Sequence, residues 1–209
     1  MFRSTTVTLW NGQNRIVSFR KGLSLEQIIR DHLPHTIMAL DTETTGLPMN
    51  TFQPQRLEYF QSARLINLGY TIQTKDRIIK EVDFLIRPKD FHVPPNQISG
   101  ITQEEVDLKG ISLENCFTQL KQDLTQVDLV VAHNLQFDRS ILLSEAYRIG
   151  DDSLIQLLQQ IPNYCTMIHG KGLKLSTLYQ NLCGETVNQN HRALEDARLC
   201  ARCYWNLLN

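Results

Sequence analysis

The sequence predicts an α/β domain on a mixed sheet, three antiparallel strands followed by parallel ones, and three observations carry that prediction. β-Prone apolar runs at Ile37–Leu40, Arg64–Ile72 and Ile78–Ile86 follow one another with short connections, which suggests an antiparallel meander. A helical pattern over Leu113–Thr125, the apolar run Leu129–Ala132 and a second helical pattern from about Asp138 to Ile149 then alternate, and that alternation points to parallel pairing. The length of 209 residues at 42% hydrophobic suits one compact domain with a substantial core and a short addition.

The addition comes first. Asn11-Gly12 separates two β-prone stretches, Thr6–Trp10 and Arg15–Phe19, as in a hairpin, and Ser24 with Gln27 forms a capping-box pattern before a short helix through about Leu33. This places a boundary between an N-terminal extension, residues 1–35, and the main domain, residues 36–209. Beyond the alternating segment, Pro162 precedes a short final strand at Tyr164–Ile168, the fifth of the sheet, and Leu175–Leu182 reads as a helix. A terminal helix over His191–Leu208 presents Ala193, Leu194, Ala197, Cys200, Ala201 and Tyr204 at three- and four-residue spacing, so that face packs on the sheet.

Composition narrows the partners. A net charge of −1 lacks the basic excess of a protein that grips nucleic acid mainly by neutralising phosphates, so any such grip is local. The N-terminus has no secretory pattern, and no run approaches the roughly 18 apolar residues of a membrane span. Five cysteines without framework spacing suit reduced thiols. The expectation is a soluble, cytoplasmic protein with no membrane partner, the nucleus being the alternative compartment. Cys200-x-x-Cys203 lies in a helical pattern without a second Cys or His pair nearby, and reads as packing.

Three short clusters carry chemistry. Asp41 and Glu43 lie two apart at the end of the first buried strand, so both carboxylates share one face and repel unless cations intervene. The turn Thr44-Thr45-Gly46-Leu47-Pro48 follows directly. His133-Asn134-Leu135-Gln136-Phe137-Asp138 follows another buried strand, at the kind of strand end where α/β sheets concentrate ligand sites. His191 and Asp196 are five apart, about 140° on an ideal helix, so a joint role requires His191 in the preceding polar loop. Each cluster has a bland alternative: a solvated strand end, a helix N-terminal charge, a solvated helix start.

Together and in this order, Asp41-Thr42-Glu43-Thr44-Thr45-Gly46-Leu47, His133 to Asp138 and His191 to Ala197 resemble the three motifs of the DEDDh (DnaQ-like) exonuclease family of the RNase H-like superfamily. Ser99-Gly100-Ile101-Thr102 with Glu104 is similar to the segment that in this family joins the third strand to the next helix, and the likeness spans roughly 36–207. The resemblance implies an RNase H-like fold, a five-stranded mixed sheet with helices on both faces. It implies that Asp41, Glu43, Asp138 and Asp196 hold two Mg²⁺ or Mn²⁺ ions, with His191 as the base that takes a proton from the attacking water. Substrate contacts would come from Thr44, Thr45, Gly46 and Leu47, with backbone near the terminal 3′-hydroxyl and Leu47 against its base. His133 and Asn134 would belong to the substrate side of the second motif, or stabilise it. The implied activity is stepwise 3′→5′ hydrolysis of single-stranded DNA or RNA, or of unpaired 3′ ends, to nucleoside 5′-monophosphates. The competing expectation is a catalytically silent module that binds nucleic acid or protein on the same scaffold.

Arg139, Lys171, Lys174, Arg192 and Arg198 are candidates for phosphate contacts. The first 35 residues have no counterpart in the minimal family domain, and pack on their own domain or dock a protein partner or a second copy of the chain.

Overall fold

The computed structural model describes residues 35–95, 98–187 and 191–208, and the backbone of 6–10 and 14–18. Strands β1 (Thr6–Trp10) and β2 (Asn14–Ser18) pair antiparallel as a two-stranded sheet, with Thr8 opposite Ile16. The Asn11-Gly12 turn and the helix expected to end near Leu33 lie outside the described residues.

A second sheet has five strands in the order β5 (Ile78–Leu85), β4 (Leu65–Gln73), β3 (Ile37–Thr44), β6 (Leu129–Ala132), β7 (Asn163–Cys165). The pairs β3–β4 and β4–β5 are antiparallel, whereas β3–β6 and β6–β7 are parallel. This is the RNase H-like mixed sheet, with β3 at its centre. Helices are α1 (Gln103–Lys109), α2 (Leu113–Leu124), α3 (Leu135–Ile149), α4 (Asp152–Gln160), α5 (Thr166–His169), α6 (Leu175–Cys183) and α7 (Ala193–Leu207).

Alternation along β3 divides its side chains between two cores. Met38 and Leu40 join Phe117, Leu120, Ile141 and Leu142 of α2 and α3 on one face. Ile37 and Ala39 join Leu178, Cys200 and Tyr204 of α6 and α7 on the other. Cys200 and Cys203 are buried, as the packing reading requires, and all five cysteines are free. No helix among the described residues is long and apolar enough to cross a membrane.

Several elements differ from the sequence reading, among them α1, for which it gave no range. Helix α4 was absent from it, although Asp151 caps that helix through a 3.1 Å bond accepted from the Leu154 N–H, and Leu154, Ile155 and Leu158 are buried. Tyr164–Ile168 is a strand only to Cys165, where the chain turns into α5. The terminal helix starts at Ala193, not His191, and His191 sits outside it with φ +49°.

Candidate active site

The C-terminal end of β3 positions the first pair. Asp41 and Glu43 point to the face that α7 covers, while Thr42 points to the α3 face and is buried. That alternation brings α3 into the site. Thr42 donates to Asp138 Oδ1 from its backbone N–H at 2.9 Å and its hydroxyl at 2.8 Å. One Asp138 oxygen is thereby fixed at a strand end, in the first turn of a helix whose entry residue, Asn134, adopts φ +67°. Asparagine tolerates that left-handed backbone better than most residues, so Asn134 makes the strand-to-helix reversal and is exposed.

Two residues of β4 that the sequence reading passed over deliver the third cluster. Gly69 pairs with Asp41, and a Cβ there would overlap the main chain of Ala193 and Leu194. Only a glycine lets the start of α7 lie against the strand. Asn67, paired with Glu43, accepts the Ala193 N–H at 3.1 Å. Its amide nitrogen donates to Asp83 and Phe84, which fixes its orientation. An isolated glycine within an apolar strand is the available sequence signal for close backbone approach.

Asp196, one turn into α7, is therefore buried beside the β3 carboxylates. His191 reaches inward from the preceding loop, with Nδ1 4.0 Å from Asp196 Oδ2 and nearly half its side chain exposed. One ligand atom each from Glu43, His191 and Asp196 lies within 4.8 Å of the others. Arg192 is turned away by a bidentate pairing with Glu105 of α1 at 3.2 and 3.3 Å.

The electrostatic result is a cluster of mutually repelling acids. Burial pushes Asp41 well above the usual carboxylate range, and Asp138, Asp196 and Glu43 push it further. Burial and the charges of Asp196 and Asp138 raise Glu43 to about 8, against a smaller lowering by Arg192. Asp138 is raised to about 7, mainly by burial, with the Thr42 hydrogen bonds opposing. Four carboxylates from three separated segments converge at this strand end. Hard oxygen donors with mutual repulsion fit divalent cations such as Mg²⁺ or Mn²⁺, which would remove the conflict.

The turn after β3 is held firmly. Thr45 donates its N–H to Arg64 O and its hydroxyl to Ser62 O, both at 2.9 Å, while its Oγ1 accepts the Arg64 N–H at 2.9 Å. Thr44 Oγ1 donates to Gly46 O, and Ser62 Oγ to Leu47 O. A Cβ on Gly46 would come within 2.8 Å of Ser62 O. Leu47, at 77% exposure, projects from this rigid turn, and Met49 and Phe52 are equally exposed just beyond it. Gln136 Nε2 ties that loop to α3 by donating to Thr51 O at 2.7 Å.

The remaining candidates divide. The His133 ring is engaged by Thr166 Oγ1 at 3.0 Å and by the Leu173 backbone, which favours the stabilising reading over substrate contact. Arg139 donates to the α4 C-terminal carbonyls of Leu158 and Gln159, and Arg198 pairs with Glu81. Those guanidinium groups, with Arg192, are committed to the fold. Lys171 and Lys174 are exposed.

Residues 38–204 match the family model RNase_T, described as an exonuclease. No curated protein matches the chain closely. Among solved structures, "Exonuclease X in complex with 5′ overhanging duplex DNA" is similar over 83% of this chain and 91% of that chain, at 22% identity and TM-score 0.57. An apo exonuclease I matches 82% of this chain but only 41% of its own length, at 14% identity and TM-score 0.57. A structure titled "3′-end specific recognition of histone mRNA stem-loop by 3′-exonuclease" shares 13% identity over 84% of this chain and 82% of that chain, with TM-score 0.54. At these identities the likeness is one of fold.

Proposed function

The chain belongs to the RNase_T exonuclease family, DnaQ-like and of the RNase H-like superfamily, and on that premise we propose that residues 36–209 form a DEDDh-type, divalent-metal-dependent 3′→5′ exonuclease. The convergence of Asp41, Glu43, Asp138 and Asp196, half-buried or buried and mutually repelling at one strand end, carries this reading. Such an arrangement costs stability and gains meaning as a cation site.

These four carboxylates would hold two ions. When bound, such a pair supplies Lewis-acid stabilisation to the attacking and leaving oxygens of a phosphodiester. The protein does the rest. Thr42 holds one oxygen of Asp138, and the other would serve as the ligand. His191, on a loop rather than the helix, accepts the proton of the attacking water at a ring nitrogen and is exposed enough to release it to solvent.

The rigid Thr44–Leu47 turn offers backbone groups to a terminal nucleotide, and Leu47 projects where it can stack on a base. Met49 and Phe52 extend that apolar surface, which suits unpaired bases because every base has an apolar face. The substrate class is therefore single-stranded DNA or RNA, or unpaired 3′ ends, and the products are nucleoside 5′-monophosphates.

Oligonucleotides of DNA and RNA, labelled at the 5′ end and incubated with Mg²⁺, Mn²⁺ or EDTA, test this directly. A ladder shortening from the 3′ end, abolished by EDTA, is expected on at least one of them. Absence of products on both with either metal would sink the proposal.

A further inference from the structure

A cavity of about 540 Å³ lies on the α2–α3 face of the sheet, away from the carboxylates, and the proposed reaction does not use it. Its size falls within the roughly 300–1,000 Å³ of small-molecule sites. Leu65, Ile86, Phe91, Leu113 and Ile149 give it apolar walls, and Arg64, Arg87, Lys89 and Arg148 bring four cations to it.

The charges there are unequally satisfied. Arg64 donates to Glu145 Oε1 at 2.8 Å and to Asp90 Oδ1 at 2.9 Å, and its guanidinium stacks on the Phe91 ring at 4.3 Å. One cation thus engages two of the three acids that line the cavity, the third being exposed Glu114. Arg148 Nε lies 3.4 Å from Glu145 Oε2 without hydrogen-bond geometry. Its buried Nε and Nη2 have no hydrogen-bond partner among the described residues. Buried guanidinium donors left without acceptors are uncommon and call for a ligand or another explanation. Arg87 and Lys89 are exposed at the same wall, so positive charge remains in excess.

We infer that this cavity is a second binding site, for a nucleoside 5′-monophosphate, with the phosphate toward Arg148, Arg87 and Lys89 and the base against the apolar wall. An inorganic anion would leave most of the volume unfilled, and an uncharged nucleoside would leave the excess positive charge of Arg87, Lys89 and Arg148 unanswered. The choice of a nucleotide among organic anions rests on the nuclease reading, whose product has this chemistry. The site is separate from the carboxylates: Glu145 is seven residues beyond Asp138 on α3, about 10 Å along the axis. The two remain in contact through Arg64, whose backbone N–H donates to Thr45 of the substrate turn.

Isothermal titration calorimetry on the full chain in EDTA, with adenosine 5′-monophosphate, adenosine and inorganic phosphate as separate probes, decides the matter. The monophosphate should bind at least tenfold more tightly than either fragment. The double variant Arg87→Glu, Lys89→Glu, which alters exposed side chains only, should weaken it tenfold or more with an unchanged thermal melt, while Asp41→Ala should bind as the parent does. The inference is overturned by the absence of monophosphate binding, by adenosine binding equally well, or by binding that Asp41→Ala removes and the double variant keeps. None of these readouts requires catalysis. An inactive chain that binds the nucleotide as described leaves this site standing, and an active chain that does not bind it overturns this site alone.

Discussion

One buried acid, Glu145, and a cluster of four half-buried or buried acids lie near the same end of the β3–β4 pair, and they are built on opposite terms. Glu145, 1% exposed, receives the Arg64 guanidinium at 2.8 and 3.3 Å and the Leu65 N–H at 3.2 Å. Asp41, Glu43 and Asp138 instead face neighbouring carboxylates, Asp196 among them, whose charges push them up. Arg192, whose charge lowers Glu43, is held by Glu105 instead. Glu145 is balanced by a guanidinium of the chain, whereas the four carboxylates repel one another, the conflict that the proposed cations would relieve. Burial alone therefore does not mark a functional acid; burial without a counter-charge does.

Removing one member from each group should separate them most sharply. Asp41→Ala is expected to lower nuclease activity by about a thousandfold or more, roughly 4 kcal/mol of barrier, while the metal-free melting temperature stays level or rises. Initial rates on labelled oligonucleotides and a thermal melt measure both. Glu145→Ala should do the reverse. Leaving Arg64 buried and unpaired costs about 3–5 kcal/mol, read as a lower urea midpoint, with activity in the surviving folded fraction reduced far less.

The same contrast governs pH. Glu43 and Asp138 have folded-state values raised to about 8 and about 7, so the folded chain holds protons that the unfolded chain has released. Their protonation favours folding below the ordinary carboxylate range near 4, and that contribution is lost as pH rises through 7 and 8. Melting temperature in EDTA should therefore fall between pH 5 and 8.5, and saturating Mn²⁺ should flatten the slope. A slope unchanged by metal would break the comparison. Smallest in effect is Asn67→Ala, which removes the acceptor for the Ala193 N–H. Loss of such a helix-start bond costs about 1 kcal/mol. It should also raise the metal concentration needed for half-maximal activity, because it loosens the helix that carries Asp196.

Much of the fold was legible because periodicity survives any tertiary context. The buried runs at Ile37, Leu129 and the stretch around Arg64–Ile72 had no use except as strands, and Leu113–Leu124 keeps one apolar face. Helices α1 and α4 were less legible, being seven and nine residues long and offering few turns over which a period can register. The angle that five residues subtend made a joint role of His191 and Asp196 conditional on a loop position for His191, although the helix was expected to begin there and its left-handed backbone was not foreseeable. Gly69 carried only the general signal of an isolated strand glycine and Asn67 none, since their importance comes from an approach by α7 more than 120 positions away in the chain.

The linear order of residues determined which chemistry was available: two carboxylates on one face of a strand, a third in the first turn of a helix, and a fourth five positions after a histidine. Local geometry is enough to decide such pairings, because strand alternation and helical rotation depend only on neighbours. Tertiary structure alone decided that the three pieces meet, that Arg192 turns toward Glu105, and that Arg64 rather than a metal answers Glu145. Those outcomes depend on which distant backbone can approach, on a missing Cβ at Gly69, and on how burial strips water from each charge.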